Sequence, residues 1–215
     1  MHRKNMSRCS SSYLSPGIPS LNYIMPTRII LASNSPRRKE LLTQIGLSFT
    51  VAPADVDESV LPGELPETYA ARVAFDKARI AAERAGEGIV IAADTIVALG
   101  DSILGKPRDG RDAEAMLKQL SGKEHRVVTA IAVIDASTAK SVTRISATKV
   151  WFRGLTEREI AVYVATGEPM DKAGAYGIQE RGALLVEKIE GCYSNVVGLP
   201  LSLLGEMLKE FGVCL

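Results

Sequence analysis

Two β-rich runs, HRVVTAIAVID (125–135) and KSVTRISATKVWF (140–152), are separated only by the polar turn ASTA, a spacing that calls for a long antiparallel hairpin. Around this hairpin the chain alternates strands with helices. RIILAS (28–33) reads as a buried strand; Ser35 and Pro36 then open a helix over 36–45 that Gly46 ends. A short strand over 49–52 leads into the acidic loop DVDESVLPGELP, and residues 67–84 form the longest predicted helix. GIVIAADTIVALG is a near-continuous apolar strand, with DSILGKP as its hairpin partner. A helix over 111–120 follows its cap Asp109, and Thr156 with Glu159 forms a capping box for a helix ending near Gly167. The glycine-rich segment GEPMDKAGAYGIQERG is irregular, ALLVEKIEG is a further strand, and LPLSLLGEMLKEF a closing amphipathic helix. Interleaved elements plus one long hairpin predict an α/β domain with a mixed sheet.

With 215 residues and no visible linker, the chain suits one domain of roughly 190 residues, built as two lobes around a cleft. No apolar run approaches bilayer-spanning length. The net charge of +1 gives no global attraction to nucleic acid or acidic membrane, so any cationic function must be local. Cys9, Cys192 and Cys214 show no CxxC spacing, which argues against a disulfide framework or thiolate zinc site. With only His2 and His125, a His-rich metal site or a Ser-His-Asp triad has almost nothing to work with. Neither a GxGxxG nor a GxxxxGK[ST] loop is present. Residues 1–24 contain no Asp or Glu and are rich in serine, a composition shared by transit peptides, poorly packed tails and upstream starts before Met25. We therefore take 25–215 as the folded domain. Without a hydrophobic signal segment, a cytoplasmic location is expected.

The stretch SNSPRR puts Ser33, Ser35, Arg37 and Arg38 where a strand gives way to a helix. Free backbone N–H groups, the helix dipole, two serine hydroxyls and Arg37 make that junction an anion site. The plainer account is a capped helix with solvated cations, yet cations in a first turn oppose the dipole. Ser-Pro-Arg-Arg also suits a DNA minor groove, which leaves a regulatory or nucleic-acid-associated protein as the alternative function. Asp94 is the second signal: a carboxylate within an apolar strand needs a partner, a metal or a ladder-satisfying role. In a regular strand Thr95 projects to the opposite face, so both could line one cleft only at a bend or strand end. Lys77 and Lys106 add cations, each taken alone an ordinary surface lysine. Asp57 and Glu58 could help Asp94 hold a hard divalent cation, and Gln179 in its glycine-rich loop offers an amide suited to a base edge.

Taken in order, SNSPRRKELL, VDES, AADTIV, GKP, HRVVTAIAV, YVATGEPMDKAGAYGIQ and NVVGLPL resemble the Maf family of nucleoside triphosphate pyrophosphatases, and within it the dTTP/UTP pyrophosphatase branch. The similarity runs from about residue 27 to the C-terminus. It implies an elongated fold with a mixed twisted sheet and central cleft, similar to inosine triphosphate pyrophosphatases. It further implies hydrolysis of the α–β phosphoanhydride of dTTP, UTP or modified pyrimidine nucleotides to monophosphate and pyrophosphate, with Mg²⁺ or Mn²⁺. Nucleotide-pool cleaning and cell-division arrest follow as cellular roles, and a homodimer is in keeping with the family. By motif, Asp94 is the proton acceptor, and Arg37, Thr95 and Gln179 set substrate choice. Ser33, Ser35, Arg38 and Lys77 would line the triphosphate site. Lys106 and Glu58 would assist the chemistry, Glu58 with Asp94 as metal ligands.

Overall fold

The structure is a computed structural model and describes residues 27–215. The sequence expectation for residues 1–24 lies outside that range. In chain order the elements are β1 (Ile29–Leu31), α1 (Pro36–Gln44), β2 (Thr50–Val51), α2 (Pro66–Ala85), β3 (Ile89–Leu99), β4 (Ser102–Leu104), α3 (Gly110–Leu120), β5 (Glu124–Asp135), β6 (Ser141–Phe152), α4 (Glu157–Val164), β7 (Val186–Glu190), α5 (Tyr193–Val197) and α6 (Leu201–Lys209). Three short 3₁₀ segments, Glu168–Asp171, Ala173–Ala175 and Glu180–Leu184, occupy the glycine-rich stretch between α4 and β7.

All seven strands form one mixed sheet in the order β2-β1-β3-β5-β6-β7, with β4 also paired to β3. The expected hairpin is β5–β6, in register from Glu124 opposite Trp151 to Ile134 opposite Ser141. β1 runs parallel to both β2 and β3. The local signals hold where short-range chemistry sets them: Ser35 accepts from the Arg38 N–H, and Asp109 from that of Asp112. Thr156 and Glu159 exchange a reciprocal pair of bonds at the start of α4. The expected strand over ALLVEKIEG is shorter: Ala183 and Leu184 belong to a 3₁₀ turn, and pairing begins at Val186 opposite Phe152. The five-residue α5 was not anticipated, because a single turn leaves no periodicity to read.

The sheet divides the core. Even-numbered residues of β3 and β5, among them Val90, Ala92, Ile96, Val128, Ala130 and Ala132, pack beneath α2 through Val73, Ala74 and Ala78. On the other face the odd-numbered residues feed two separate clusters. Ile91, Ala93, Ile131 and Val133 pack with Leu42, Leu204 and Met207 of α1 and α6. Val97 and Val127 pack with Leu117, Phe152 and Ile160 of the α3–α4 half. Between those clusters the apolar face is interrupted by Thr95 and Thr129, directly opposite each other in the β3–β5 ladder.

Candidate active site

A cleft of about 1040 Å³ opens at this interruption, lined by the start of α1, the acidic loop, α2, the middle of β3, Lys106 and the 171–180 segment. Its floor is a gap in the sheet. β1 pairs with β3 at residues 89–91 and β4 pairs with it at 97–99, both on the edge away from β5. Among the described residues, no strand covers that edge of β3 between Ala92 and Ile96. Open α/β sheets bind ligands at such switch points, where neighbouring strands diverge. Neither a bend nor an end of β3 lies here: β3 stays in unbroken register with β5 from Ile89 to Ala98. Asp94 and Thr95 do point to opposite faces, and they share one cleft because the edge between the faces is bare.

Asp94 lies on the α2 face, 7% exposed. Lys77, on α2, answers the partner question. Its Nζ donates to Asp94 Oδ1 at 2.8 Å and lies 2.7 Å from Glu58 Oε1. Lys77 is thus no surface lysine; its side chain is only 13% exposed. The helical spacing of α2 sets this: Ala70, Val73, Ala74, Ala78 and Ala81 bury one face, and position 77 falls at its margin beside β3. Two carboxylates thus share one ammonium. Burial opposes ionisation of Glu58, but the hydrogen bond and charge of Lys77, with Lys106 and Arg38, outweigh it and hold its carboxyl below the usual range. Tyr69 and Arg72 of α2 fasten the acidic loop, through a phenol donating to the Glu58 carbonyl at 2.9 Å and a guanidinium donating to the Ser59 carbonyl at 2.9 Å.

The two arginines of SPRR part company. Arg37 stays at the cleft mouth and reaches across it to Asp171 at 3.0 Å. Arg38 turns inward, donating from Nε to the Gly198 carbonyl (2.9 Å), from one Nη to Ser33 Oγ (3.2 Å) and from the other to Thr95 Oγ1 (3.0 Å). Burial lowers its pKa while the Asp94 charge beneath opposes that shift. Thr95 Oγ1 lies 2.9 Å from Thr129 Oγ1, and Thr129 donates to the Asn195 carbonyl at 3.1 Å. A polar seam therefore runs from α1 through β3 and β5 to α5. Gly198 closes it with φ of +126°, a backbone angle that L side chains rarely adopt.

The sequence-predicted set is largely brought together. Ser33, Ser35, Arg37, Arg38, Glu58, Lys77, Asp94, Thr95, Lys106 and Gln179 all line the cleft. Lys106, just beyond β4, is exposed, and among the described residues no carboxylate lies within ion-pairing distance of it. Thr95 faces away from Asp94, as the alternation of a regular strand requires, and meets Arg38, which is built into the seam.

A family model of Maf-like proteins matches residues 28–211. The chain belongs to the Maf-like family. Its relatives include a dTTP/UTP pyrophosphatase of Acetivibrio thermocellus, 53% identical over 86% of this chain and 96% of that protein. Others of the same description come from Syntrophomonas wolfei (49% identical, 85% of this chain and 96% of that one) and Clostridioides difficile (49%, 85% and 94%). Among solved structures, a HAM1 protein from Coxiella burnetii superposes with a TM-score of 0.51 at 18% identity, over 86% of this chain and 99% of that one, a likeness of fold alone.

For this Maf-like protein the minor-groove reading of SPRR loses its basis, since one arginine is paired across the cleft and the other is turned into the seam. Among the described residues, no three His, Cys, Asp or Glu side chains converge as a metal-binding group, and no helix is long and apolar enough to cross a membrane. Oxygens of Asp94 and Glu58 converge on Lys77 Nζ, and Glu40, Asp55, Asp171 and Glu180 also line the cleft.

Asn195 and His125 carry weight that the sequence did not disclose. Asn195, fully buried, donates from Nδ2 to the Val127 carbonyl and Thr148 Oγ1, both at 2.9 Å, and so fixes α5 under the sheet. Its one legible signal was its place in NVVGLPL. His125 lies 2.7 Å from the hydroxyl of Tyr176 and stacks edge-on with Phe152, holding Tyr176 at the cleft wall. Burial pushes its pKa from 6.5 down to about 4. A histidine whose pKa is depressed by folding favours the native state fully above pH ~6.5 and loses that contribution as pH falls toward 4. Denaturant unfolding should therefore show stability falling by about 3 kcal/mol across that window, and His125→Phe should flatten this part of the curve.

Proposed function

We propose that the protein is a nucleoside triphosphate pyrophosphatase that hydrolyses the α–β phosphoanhydride of dTTP and UTP, giving the monophosphate and pyrophosphate. The observation that carries this reading is Asp94 at the bare edge of β3, hydrogen-bonded to Lys77 at 2.8 Å and facing the same cleft as Arg37 and Lys106. The relatives described as dTTP/UTP pyrophosphatases support the substrate class.

In this reading Asp94 orients a water toward the α-phosphorus and accepts its proton as the new P–O bond forms. The bond to the bridging oxygen breaks, and pyrophosphate leaves. Phosphoryl transfer is governed by positioning and charge neutralisation, so the cations of the cleft carry most of the stabilisation. Lys77 and Lys106 face the triphosphate, with the N–H groups at the start of α1. Arg38 has five N–H donors, of which the seam engages three, and the remaining two, one on each Nη, are available to phosphate. Arg37 and Gln179 lie at the wall where a base would sit, while Thr95 influences substrate choice through Arg38.

A divalent cation, Mg²⁺ or Mn²⁺, fits the chemistry of the donors present: two hard carboxylates, Asp94 and Glu58, brought together at Lys77. Magnesium bound to nucleotides takes one or two carboxylates and draws its other oxygens from phosphate and water. Bound there, the cation would neutralise charge on the triphosphate. The expected setting is the cytoplasmic nucleotide pool. A pyrophosphate-release screen over common and modified nucleoside triphosphates, with Mg²⁺ and Mn²⁺ in turn, tests the reading. Turnover concentrated on dTTP and UTP is expected, and a flat screen with either metal would sink it.

A further inference from the structure

We propose that Tyr163 and Glu168 act as positioning residues for nucleotide selection, forming a clamp that holds the loop presenting Gln179 to the cleft. This rests on the proposed role of Gln179 as reader of the base edge. Neither residue lines the main cleft, so the effect must travel through the backbone of residues 177–182.

That backbone is held at both ends. The Glu168 carboxylate accepts from Tyr163 Oη at 3.0 Å and the Gly182 N–H at 3.1 Å on one oxygen, and from the Arg181 N–H at 3.3 Å on the other. Tyr163 Oη in turn accepts from the Gly177 N–H at 3.4 Å. One tyrosine and one carboxylate thereby hold the residues on either side of Ile178, Gln179 and Glu180. The loop is drawn so tight that a Cβ on Gly182 would lie 1.9 Å from the Gly177 carbonyl oxygen, which leaves only glycine room there. At its tip Glu180 has a φ of +53°, a left-handed conformation that a glutamate rarely adopts without surrounding constraint. Strain of that kind persists only where the surrounding structure over-determines the backbone, and here it falls one residue after Gln179.

Physical chemistry favours a carboxylate over any neutral group in this role. An ionised side chain is an acceptor only, and it forms stronger bonds to backbone N–H groups than an amide does. Glu168→Gln keeps the shape but presents one carbonyl oxygen and an NH₂ group where the loop offers only donors. Tyr163 is buried on α4, so Tyr163→Phe removes the bridging hydroxyl and little else.

The test compares kcat/KM for UTP and CTP in the wild type, Glu168→Gln, Tyr163→Phe, Gln179→Ala and the double variant Glu168→Gln/Gln179→Ala. In parallel, amide hydrogen exchange is followed at Gly177, Arg181 and Gly182 in the free proteins. Expected are faster exchange at those amides in both clamp variants and an at least ~10-fold fall in the UTP-to-CTP ratio, carried mainly by KM. No further fall should appear when Glu168→Gln is added to Gln179→Ala. An unchanged ratio in both clamp variants, a multiplicative loss in the double variant, or unaltered exchange would overturn the proposal. Absence of dTTP and UTP turnover in the wild type would instead remove the substrate reading, and the exchange measurements would still decide whether the clamp holds the loop.

Discussion

Asp94→Asn is expected to leave the protein folded, with a melting temperature close to that of the wild type, and to lower dTTP and UTP turnover at least about 100-fold. Loss of a positioned general base carries a penalty of that size. The structure explains why the fold should survive. An asparagine oxygen can still accept from Lys77 Nζ, and the amide keeps the size and shape of the buried carboxyl it replaces. The ammonium also keeps Glu58 as a partner at 2.7 Å. Steady-state pyrophosphate release and thermal unfolding on the same preparation check both halves. Near-normal turnover by the variant would remove Asp94 from the chemistry.

The second large effect is expected from Arg38→Lys, and it should strike stability and activity together. Arg38 ties three separate pieces of chain with its three nitrogens: Ser33 after β1, Thr95 in β3 and the Gly198 carbonyl after α5. A lysine has a single nitrogen on a flexible stem and cannot reproduce the planar fork. Hydrogen bonds to a charged donor contribute about 1.5–3 kcal/mol each, and the stranded acceptors are partly buried. A net loss of about 2–3 kcal/mol is the expected result, a fall of about 4–12 °C in Tm for a domain of this size. Turnover should fall by about 100-fold as well, because the seam that Arg38 closes also sets the cleft floor. Calorimetry paired with kinetics checks this. A variant with wild-type Tm would show that the guanidinium serves substrate alone.

These two expectations differ in how much of their basis could be read from residue order. Asp94 was legible because an acid in IAADTIVAL breaks an otherwise apolar run, and burial of a charge demands a reason. Arg37 and Arg38 were legible as a pair, since Ser35-Pro36 announces a helix start and cations there oppose its dipole. Residue types alone did not separate the two; only the family resemblance assigned Arg37 to substrate choice and Arg38 to the triphosphate site. Which arginine turns inward depends on where Gly198 and Thr95 arrive, 160 and 57 residues away in sequence. Lys77, placed in the site only by the family resemblance, reads from its own surroundings as an ordinary helix lysine until the helix is laid across β3. Asn195 gave less still, because its turn of helix is too short to carry a period.

Apart from the single-turn α5, the order of elements was settled by the sequence itself, as were the long hairpin, the helix caps and the anomalous acid, because each depends on neighbours a few residues apart: side-chain periodicity, capping geometry and local apolar patterning. Tertiary structure alone decided the gap at the edge of β3, the ammonium shared by two carboxylates, the inward arginine and the clamped loop. Each of these requires segments far apart in the chain to end, start or turn at matching places. Such agreement is set by how whole elements pack on the sheet.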